Sequence, residues 1–460
     1  MNVVIVGNGI LGLTAAYKLI KKERNINITL IGPYDNKGCA SLAAAAMFNS
    51  FAEIDGHTLK NKIEYEKFIF NKMSTPFWPD LLKEIGSDAG KKLEYGFGTF
   101  VINNHSSDVL EDENFNAIIE ALGQFKEEFS LVTPPSIPNY KPSAFGRASR
   151  SIYINNEGWV NPVLLIDALK TILLNSGKVN FINGYCKSIY KNYNKIEHAL
   201  LEDSTKIYGD VFLMTPGATF SKIIAASNLE LKFPKIFYGV GCSLLLKTGD
   251  DTLSNCIRTP NRGLACGIYS APHDSQHTLI GATNNISPVP IDNAHANNIY
   301  SILKSAMEQI NSDFYRSEVV KINVGWRPTS EDTLPLIGRS SIDNLIIATG
   351  TKRDGLHCSP VISDYLSDII LNNHSETDLS LFTPERAPVR IYTREEAIKI
   401  TVRHTINGSF QHDFVPAKNR MLEDLEHYYT DDLNKLHDKV GAYDWGIPPE
   451  MVTMYRYNKI

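Results

Sequence analysis

The stretch "VVIVGNGILGLTAAYKLIKK", Val3 to Lys22, is compatible at first sight with a membrane-spanning helix, an export signal, or the opening of a nucleotide-binding domain. An export signal needs basic residues ahead of its apolar core and small residues at a cleavage site. Here the apolar run starts at Val3 and the positive charges come after it. A spanning helix needs about 20 mainly apolar residues, and Gly7, Asn8, Gly9 and Gly12 interrupt the run too early. What remains is a short buried strand, Val3 to Val6, a glycine turn, and a helix from about Leu11 to Lys21. A second β-rich run, "INITLIG", follows at residues 26–32.

This βαβ setting is the one a dinucleotide fingerprint requires. Gly7 allows the tight turn, Gly9 lets the backbone approach a diphosphate, and Gly12 lets the helix lie close to the strand. The diphosphate would rest on the helix N-terminus at Ile10 and Leu11, where free N–H groups and the macrodipole favour anions. One expected feature is missing. The second strand ends Ile31-Gly32-Pro33 instead of on an acidic residue that would hold ribose hydroxyls. Either Asp35 reaches back, backbone groups serve, or that hydrogen bond is absent.

A chain of 460 residues has room for two or three domains. Its 43% hydrophobic and 21% charged residues are an ordinary globular balance. The net charge of −5, with no basic stripe, argues against nucleic acid as a partner. Cys39, Cys186, Cys242, Cys256, Cys266 and Cys358 form no CxxC or Cys/His cluster, so no metal site is expected. Dispersed cysteines without an export signal imply reduced thiols and a cytoplasmic protein.

After the second strand comes "GCASLAAAAMFNSFAEID", residues 38–55, with four consecutive alanines. Alanine favours helix and has no bulk. The run reads either as a tightly packed core helix or as a helix whose small side chains press against a large planar cofactor. About 300 residues later stands "VGWRPTSEDTLPLIGRSSIDNLIIATGTKRDGLHCSPVISDYLSDII", residues 324–370. It predicts a buried strand Leu345 to Ala348, a polar loop through Thr349, Gly350 and Gly355, and a helix from about Pro360 to Leu371. Strand, glycine loop and helix again bring free N–H groups toward a buried ligand.

Together these blocks resemble the D-amino-acid oxidase family of flavin-dependent amine and amino-acid oxidases, which includes glycine oxidase and sarcosine oxidase. The first block is similar to the family's "TSxAAAGM" segment. The second is similar to its "G-x-RP-x-T-x-D-x-x-P-x-IG … A-x-G-x-x-x-G" motif. The resemblance implies an α/β fold with a discontinuous Rossmann-like FAD-binding domain (1–90, 152–228 and 326–388). It further implies an antiparallel-sheet substrate domain over the flavin (91–151 and 229–325) and a C-terminal extension (389–460). Runs such as "GTFVINN", "GVGCSLLLK" and "HTLIGATNN" have the composition of that sheet.

The resemblance implies non-covalent FAD, because neither attachment residue stands where relatives carry it. Cofactor contacts carry over to Ser41, Ala45, Ala46 and Met47, to Thr215, Gly217 and Ala218 in "VFLMTPGATF", and to Lys187 beside the adenine. They also carry over to Gly350, Arg353, Asp354, Gly355, Leu356 and His357. The implied reaction moves a hydride from a C–H beside nitrogen to flavin N5, acting on a CH–NH or CH–NH2 bond of a small amine or amino acid. Arg327 matches the carboxylate-binding arginine, whose planar fork suits a carboxylate. Tyr269 either donates to the same carboxylate or is a core tyrosine of the sheet. Met47 also borders the substrate pocket. Arg353 sits where a charge would stabilise the reduced ring, and His357 either faces the flavin or hydrogen-bonds a helix end.

Strand "TLIGAT" lacks the lysine that sarcosine oxidases use with oxygen, which leaves the electron acceptor open. Two alternatives remain: a tailoring flavoenzyme for an unusual or carrier-tethered amino acid, and a non-catalytic flavin-binding subunit. A subunit of the latter kind has no need of Arg327. The tail "NRMLEDLEHYYTDDLNKLHDKV" predicts an amphipathic helix with Leu422, Leu425, Tyr429, Leu433 and Leu436 near one face. It would pack on the body, mediate a homo-oligomer, or cap the site.

Overall fold

Alternation along the first strand sets the layers of the molecule. In the computed structural model, which describes residues 1–105, 107–410, 414, 418 and 420–457, this strand is Asn2–Val6. Val3 and Ile5 bury into a core shared with the helices Ile10–Lys22, Pro162–Asn175 and Ser359–Ile370. Val4 and Val6 point the other way, into a core with the helix Phe220–Ala226 and a small three-stranded sheet. A strand buried on both faces by apolar residues is what a parallel central sheet requires.

That sheet has six strands in the order Leu336–Arg339, Leu345–Thr349, Val211–Met214, Asn2–Val6, Asn27–Ile31, Val179–Ile182. All pairs are parallel except the outermost, Leu336–Arg339 with Leu345–Thr349. Val6 registers with Ile31 on one side and Met214 on the other. The strand ends are therefore level, and the strand order reverses about Asn2–Val6: the chain first builds the Asn27–Ile31 side and only later the Val211–Met214 side. Such a switch point opens a crevice at the carboxyl ends of the strands.

The second sheet has ten strands. Its longest pairing joins Ile236–Lys247 to Glu318–Ser330. It is antiparallel apart from the pairing of Tyr95–Asn104 with Cys256–Arg258. Two of its strands run across the expected domain boundaries: Ala148–Val160 and Glu318–Ser330 stay in this sheet along their whole length.

The alanine run departs from the helix expected of it. Only Ala40–Ala43 is helical, and Ala44 leaves it extended. Ala46 adopts a left-handed φ of 51°. Tertiary pairing overrides propensity here: the chain must turn so that Met47 and Phe48 can pair with Trp159 and Gly158.

The tail packs on the body. Helices Arg394–Phe410 and Arg420–Val440 share a core of Ile398, Val402, Ile406, Leu433 and Leu436. Met451 and Met454 pack against Phe237 and Ile286 of the large sheet. Asn419, the first residue of the predicted tail helix, lies outside the described residues. No helix among the described residues is long and apolar enough to cross a membrane.

Gly12 is the tightest point of the first βαβ unit, since a Cβ there would lie 2.0 Å from the Gly7 carbonyl oxygen. Gly12→Ala should cost about 3 kcal/mol in denaturant unfolding; wild-type stability in that variant would contradict this packing.

Candidate functional site

Loops following five of the strand ends surround a cavity of about 740 Å³. At its closed end the turn at Gly7 has φ 119°, and a Cβ there would strike the Thr215 carbonyl at 2.1 Å. Helix Ile10–Lys22 begins at Gly9 with no side-chain cap of its own. The Ile10 N–H donates to Ser41 Oγ at 3.1 Å, from a different segment. Gly7, Gly9, Ile10, Leu11 and Ser41 all line the cavity, as do Thr215, Gly217 and Ala218. Gly217 takes a left-handed φ of 62°, and its carbonyl accepts from Thr349 Oγ1 at 3.0 Å. With Ser41 taking the Ile10 amide, the next first-turn amides beside glycine backbone remain a donor array for an anion.

Beyond this turn the lining runs past Gly32 to Tyr185, Lys187 and Glu202. Gly32 is explained by packing: a Cβ would collide with the Asn8 side chain, which donates to the Pro33 carbonyl. Asp35 does not reach back. Its carboxylate accepts from Tyr185 Oη and the Lys37 amide and stays off the lining. Glu202 is the carboxylate on this part of the wall.

The other end abuts the large sheet. Ala45, Ala46 and Met47 line it together with Tyr269, Arg327, Arg353, Asp354, Gly355, Leu356 and His357. Gly12 and Gly350 do not line it. Gly12 serves helix–strand packing, and Gly350, at φ 72°, forms the turn after its strand.

Two glycines that sequence reasoning passed over make room for the polar groups. A Cβ on Gly241, across the strand pair from Arg327, would meet the guanidinium at 2.2 Å. A Cβ on Gly281 would meet the Tyr269 hydroxyl at 2.5 Å. Arg327 Nη1 donates to the Thr283 carbonyl at 2.8 Å, and its Nη2 has no acceptor among the described residues. One edge of the fork is thus anchored, and Arg327 lines the cavity. Burial pushes the Tyr269 phenol well above the ordinary range, so it stays a donor.

The loop Thr351–His357 adds a buried ion network. Glu53 lies between Arg258 and Arg353, with Arg353 Nη2 at 3.2 Å. Burial alone would raise the Glu53 carboxyl, but the two guanidinium groups hold it at about 2. Arg353 stays charged as well: burial opposes it, and Glu53 together with its other acidic neighbours, Asp354 and Glu450 among them, more than offsets that. Nε and Nη1 of Arg353 are buried without acceptors. Asp354 pairs with Lys67 at 3.2 Å.

His357 is a bracket between elements. Its Nε2–H donates to the Asn71 carbonyl at 2.8 Å, and its own carbonyl accepts from Trp78 Nε1. Burial lowers its pKa, which keeps the ring neutral.

Glu157 was not legible as a site residue. It accepts the amides of Ser50, Phe51 and Ala52, fixing the short turn that carries Glu53. Burial lifts its carboxyl to about 7 from an ordinary 4.5. Its folded-state pKa is raised, so the protonated form is favoured in the folded chain. Folding stability must fall as pH rises from about 4.5 to 7 and level off above. Glu157→Gln should remove this slope, worth up to about 3 kcal/mol. Denaturation midpoints at pH 5 and 7.5 with identical pH response in both proteins would contradict the assignment.

Comparison with known proteins follows this geometry. Residues 2–369 match the family model "DAO: FAD dependent oxidoreductase". The glycine oxidase of Geobacillus kaustophilus is 22% identical over 392 residues, covering 84% of this chain and 97% of its own. Its crystal structure superposes with a TM-score of 0.70, at 19% identity over 84% of this chain and 98% of that one. Iminodiacetate oxidase from Chelativorans sp. BNC1 gives the same TM-score of 0.70 at 20% identity, over 84% and 100% of the two chains. The bifunctional protein ThiO/ThiG of Trichormus variabilis is 28% identical over 159 residues, which is 35% of this chain. This chain spans only 23% of that protein. With the family model covering most of its length and the fold shared, the chain belongs to the DAO family of FAD-dependent oxidoreductases.

Proposed function

We propose that the chain oxidises the C–N bond of a small amine or amino acid to an imine, which water then hydrolyses. The observation that carries this reading is the pairing, in one cavity, of a dinucleotide cradle with a half-anchored guanidinium. The residues fit FAD at both ends: first-turn helix amides beside Gly7 and Gly9 for the diphosphate, and buried Arg353 donors without acceptors for the ring. Bound FAD supplies the hydride acceptor for such a reaction.

The protein's share is orientation and electrostatics. The free edge of Arg327 takes a substrate carboxylate, and the Tyr269 hydroxyl donates to the same group. Holding that carboxylate fixes where the C–H bond points. Arg353, kept charged by Glu53, stabilises negative charge arising beside it. Glu53, held near 2, is not a base at neutral pH. None is needed when the amine arrives neutral.

The relatives' names support a small amino-acid substrate, since glycine oxidase and iminodiacetate oxidase are both among them. Binding of the cofactor is non-covalent in this reading. Burial raises the cavity-lining thiols of Cys39 and of Cys186, the latter to about 12, so neither is a ready nucleophile. His357 spends Nε2 on Asn71.

Three experiments test this. Anaerobic addition of small amines or amino acids should bleach the flavin band with at least one of them, and no bleaching with any would contradict the proposal. Arg327→Met should lower kcat/KM for that substrate by about a hundredfold or more while retaining flavin. Acid precipitation should leave the flavin in the supernatant; a yellow pellet would show a covalent bond instead.

A further inference from the structure

The dinucleotide cradle lacks one group: the second strand ends on Gly32-Pro33, where an acidic side chain would take ribose hydroxyls. Packing explains why no side chain stands there, since a Cβ on Gly32 would meet the Asn8 side chain at 2.3 Å. Asp35, the next acid in the sequence, is already engaged. Its carboxylate accepts from Tyr185 Oη at 2.9 Å and from the Lys37 amide at 3.0 Å. Burial and the Asp35 carboxylate push the Tyr185 phenol up to about 12, so it remains the donor of that bond.

The backbone carries another acid to this place. The Gly32 amide donates to the Ile182 carbonyl at 3.1 Å, and the Tyr34 amide to Asn183 Oδ1 at 2.9 Å. These bonds lay the segment after Val179–Ile182 along the end of the second strand. Two residues beyond Asn183, the Tyr185 carbonyl accepts the Glu202 amide at 3.0 Å. Glu202 directly follows the strand Lys195–Leu201, whose Leu201 registers with Cys186. Gly32, Tyr185 and Glu202 therefore stand on three adjacent segments, and all three line the 740 Å³ cavity.

Among the described residues the carboxylates on this lining are Glu53, Asp354 and Glu202. The first two belong to the Arg353 end and are paired, Glu53 with Arg258 and Arg353, Asp354 with Lys67. The Glu202 carboxylate has no hydrogen bond or ion pair among the described residues. An ionised carboxylate only accepts, and two neighbouring hydroxyls are donors that its two oxygens can take together. With a diphosphate at the Gly7–Gly9 turn and the ring toward Arg353, the adenosine half of FAD falls at the Glu202 end.

We propose that Glu202 takes over the role that Gly32 cannot fill, accepting the adenosine ribose hydroxyls of FAD from a different strand. The assignment rests on FAD occupying this cavity as in the reading above, and it names the residue that recognises the nucleoside half.

The test is calorimetric titration of the full-length chain, freed of flavin, with FAD and with an FAD analogue whose adenosine lacks both ribose hydroxyls. The wild type should bind FAD at least tenfold more tightly than the analogue, as hydrogen bonds to a charged acceptor imply. Glu202→Ala should bind FAD at least tenfold more weakly and hold the two ligands within twofold of each other. Asp35→Asn should keep the wild-type discrimination. Glu202 is exposed, so the thermal midpoint of the flavin-free Glu202→Ala chain should match the wild type. Equal affinity of the wild type for both ligands, discrimination surviving in Glu202→Ala, or discrimination lost in Asp35→Asn would overturn the assignment. The expected pattern in a protein whose flavin no amine reduces would support Glu202 and overturn the amine-oxidation reading alone. A chain that takes up neither ligand would overturn both.

Discussion

Three backbone segments meet at Gly7 with no space for one further carbon. A Cβ on Gly7 would overlap the Thr215 carbonyl, and one on Gly12 would overlap the Gly7 carbonyl. Helix Ile10–Lys22 is thereby pressed onto the ends of two neighbouring parallel strands, with its first amides directed into the crevice. This close approach levels the loops after Val6 and Met214, and register with Leu345–Thr349 brings the third loop alongside. The donor array for a diphosphate and the Thr351–His357 loop at the far end of the cavity both depend on it. A bulkier residue at either position separates the helix from the sheet and disperses the array.

The Arg353 end of the cavity is governed by a different constraint, the cost of burying charge. Arg258, fully buried, Glu53 and Arg353 form a chain in which each ion is tolerable only because of the next. Glu157, its carboxyl lifted to about 7, adds less than a full charge at neutral pH and spends one oxygen on three amides. The result is a rigid support for a guanidinium that is permanently cationic. A site built this way holds its field before any ligand arrives, which is where electrostatic catalysis draws its advantage.

The first strand, turn and helix were legible because their signals are local: alternation, glycine spacing and an apolar helix face. The strand at Leu345 and the helix after it were legible for the same reason. Arg327 and Tyr269 were reached through motif resemblance, whereas Gly241 and Gly281, which make room for them, carry no local signal. Their role exists only in the register of Ile236–Lys247 with its neighbours. Glu53, Glu157 and Arg258 follow one another at intervals of about 100 residues and read individually as ordinary charges. The alanine run misled because propensity is weak against strand pairing, and Asp35 because Tyr185 and the Lys37 amide claim it. Of the tail helices, only the apolar face of Arg420–Val440 follows from an amphipathic pattern. Where they dock does not, since Glu450 finds Lys352 through tertiary geometry alone.

In the proposed function, Arg327 would present its unanchored edge to a carboxylate beside a bound flavin. The most direct measurement is a difference spectrum of the flavin band during titration with acetate, in the wild type and in Arg327→Met. A saturable shift in the wild type that disappears in the variant, with flavin content unchanged, is the predicted result. An identical shift in both proteins, or none in the wild type at saturating acetate, would contradict the account.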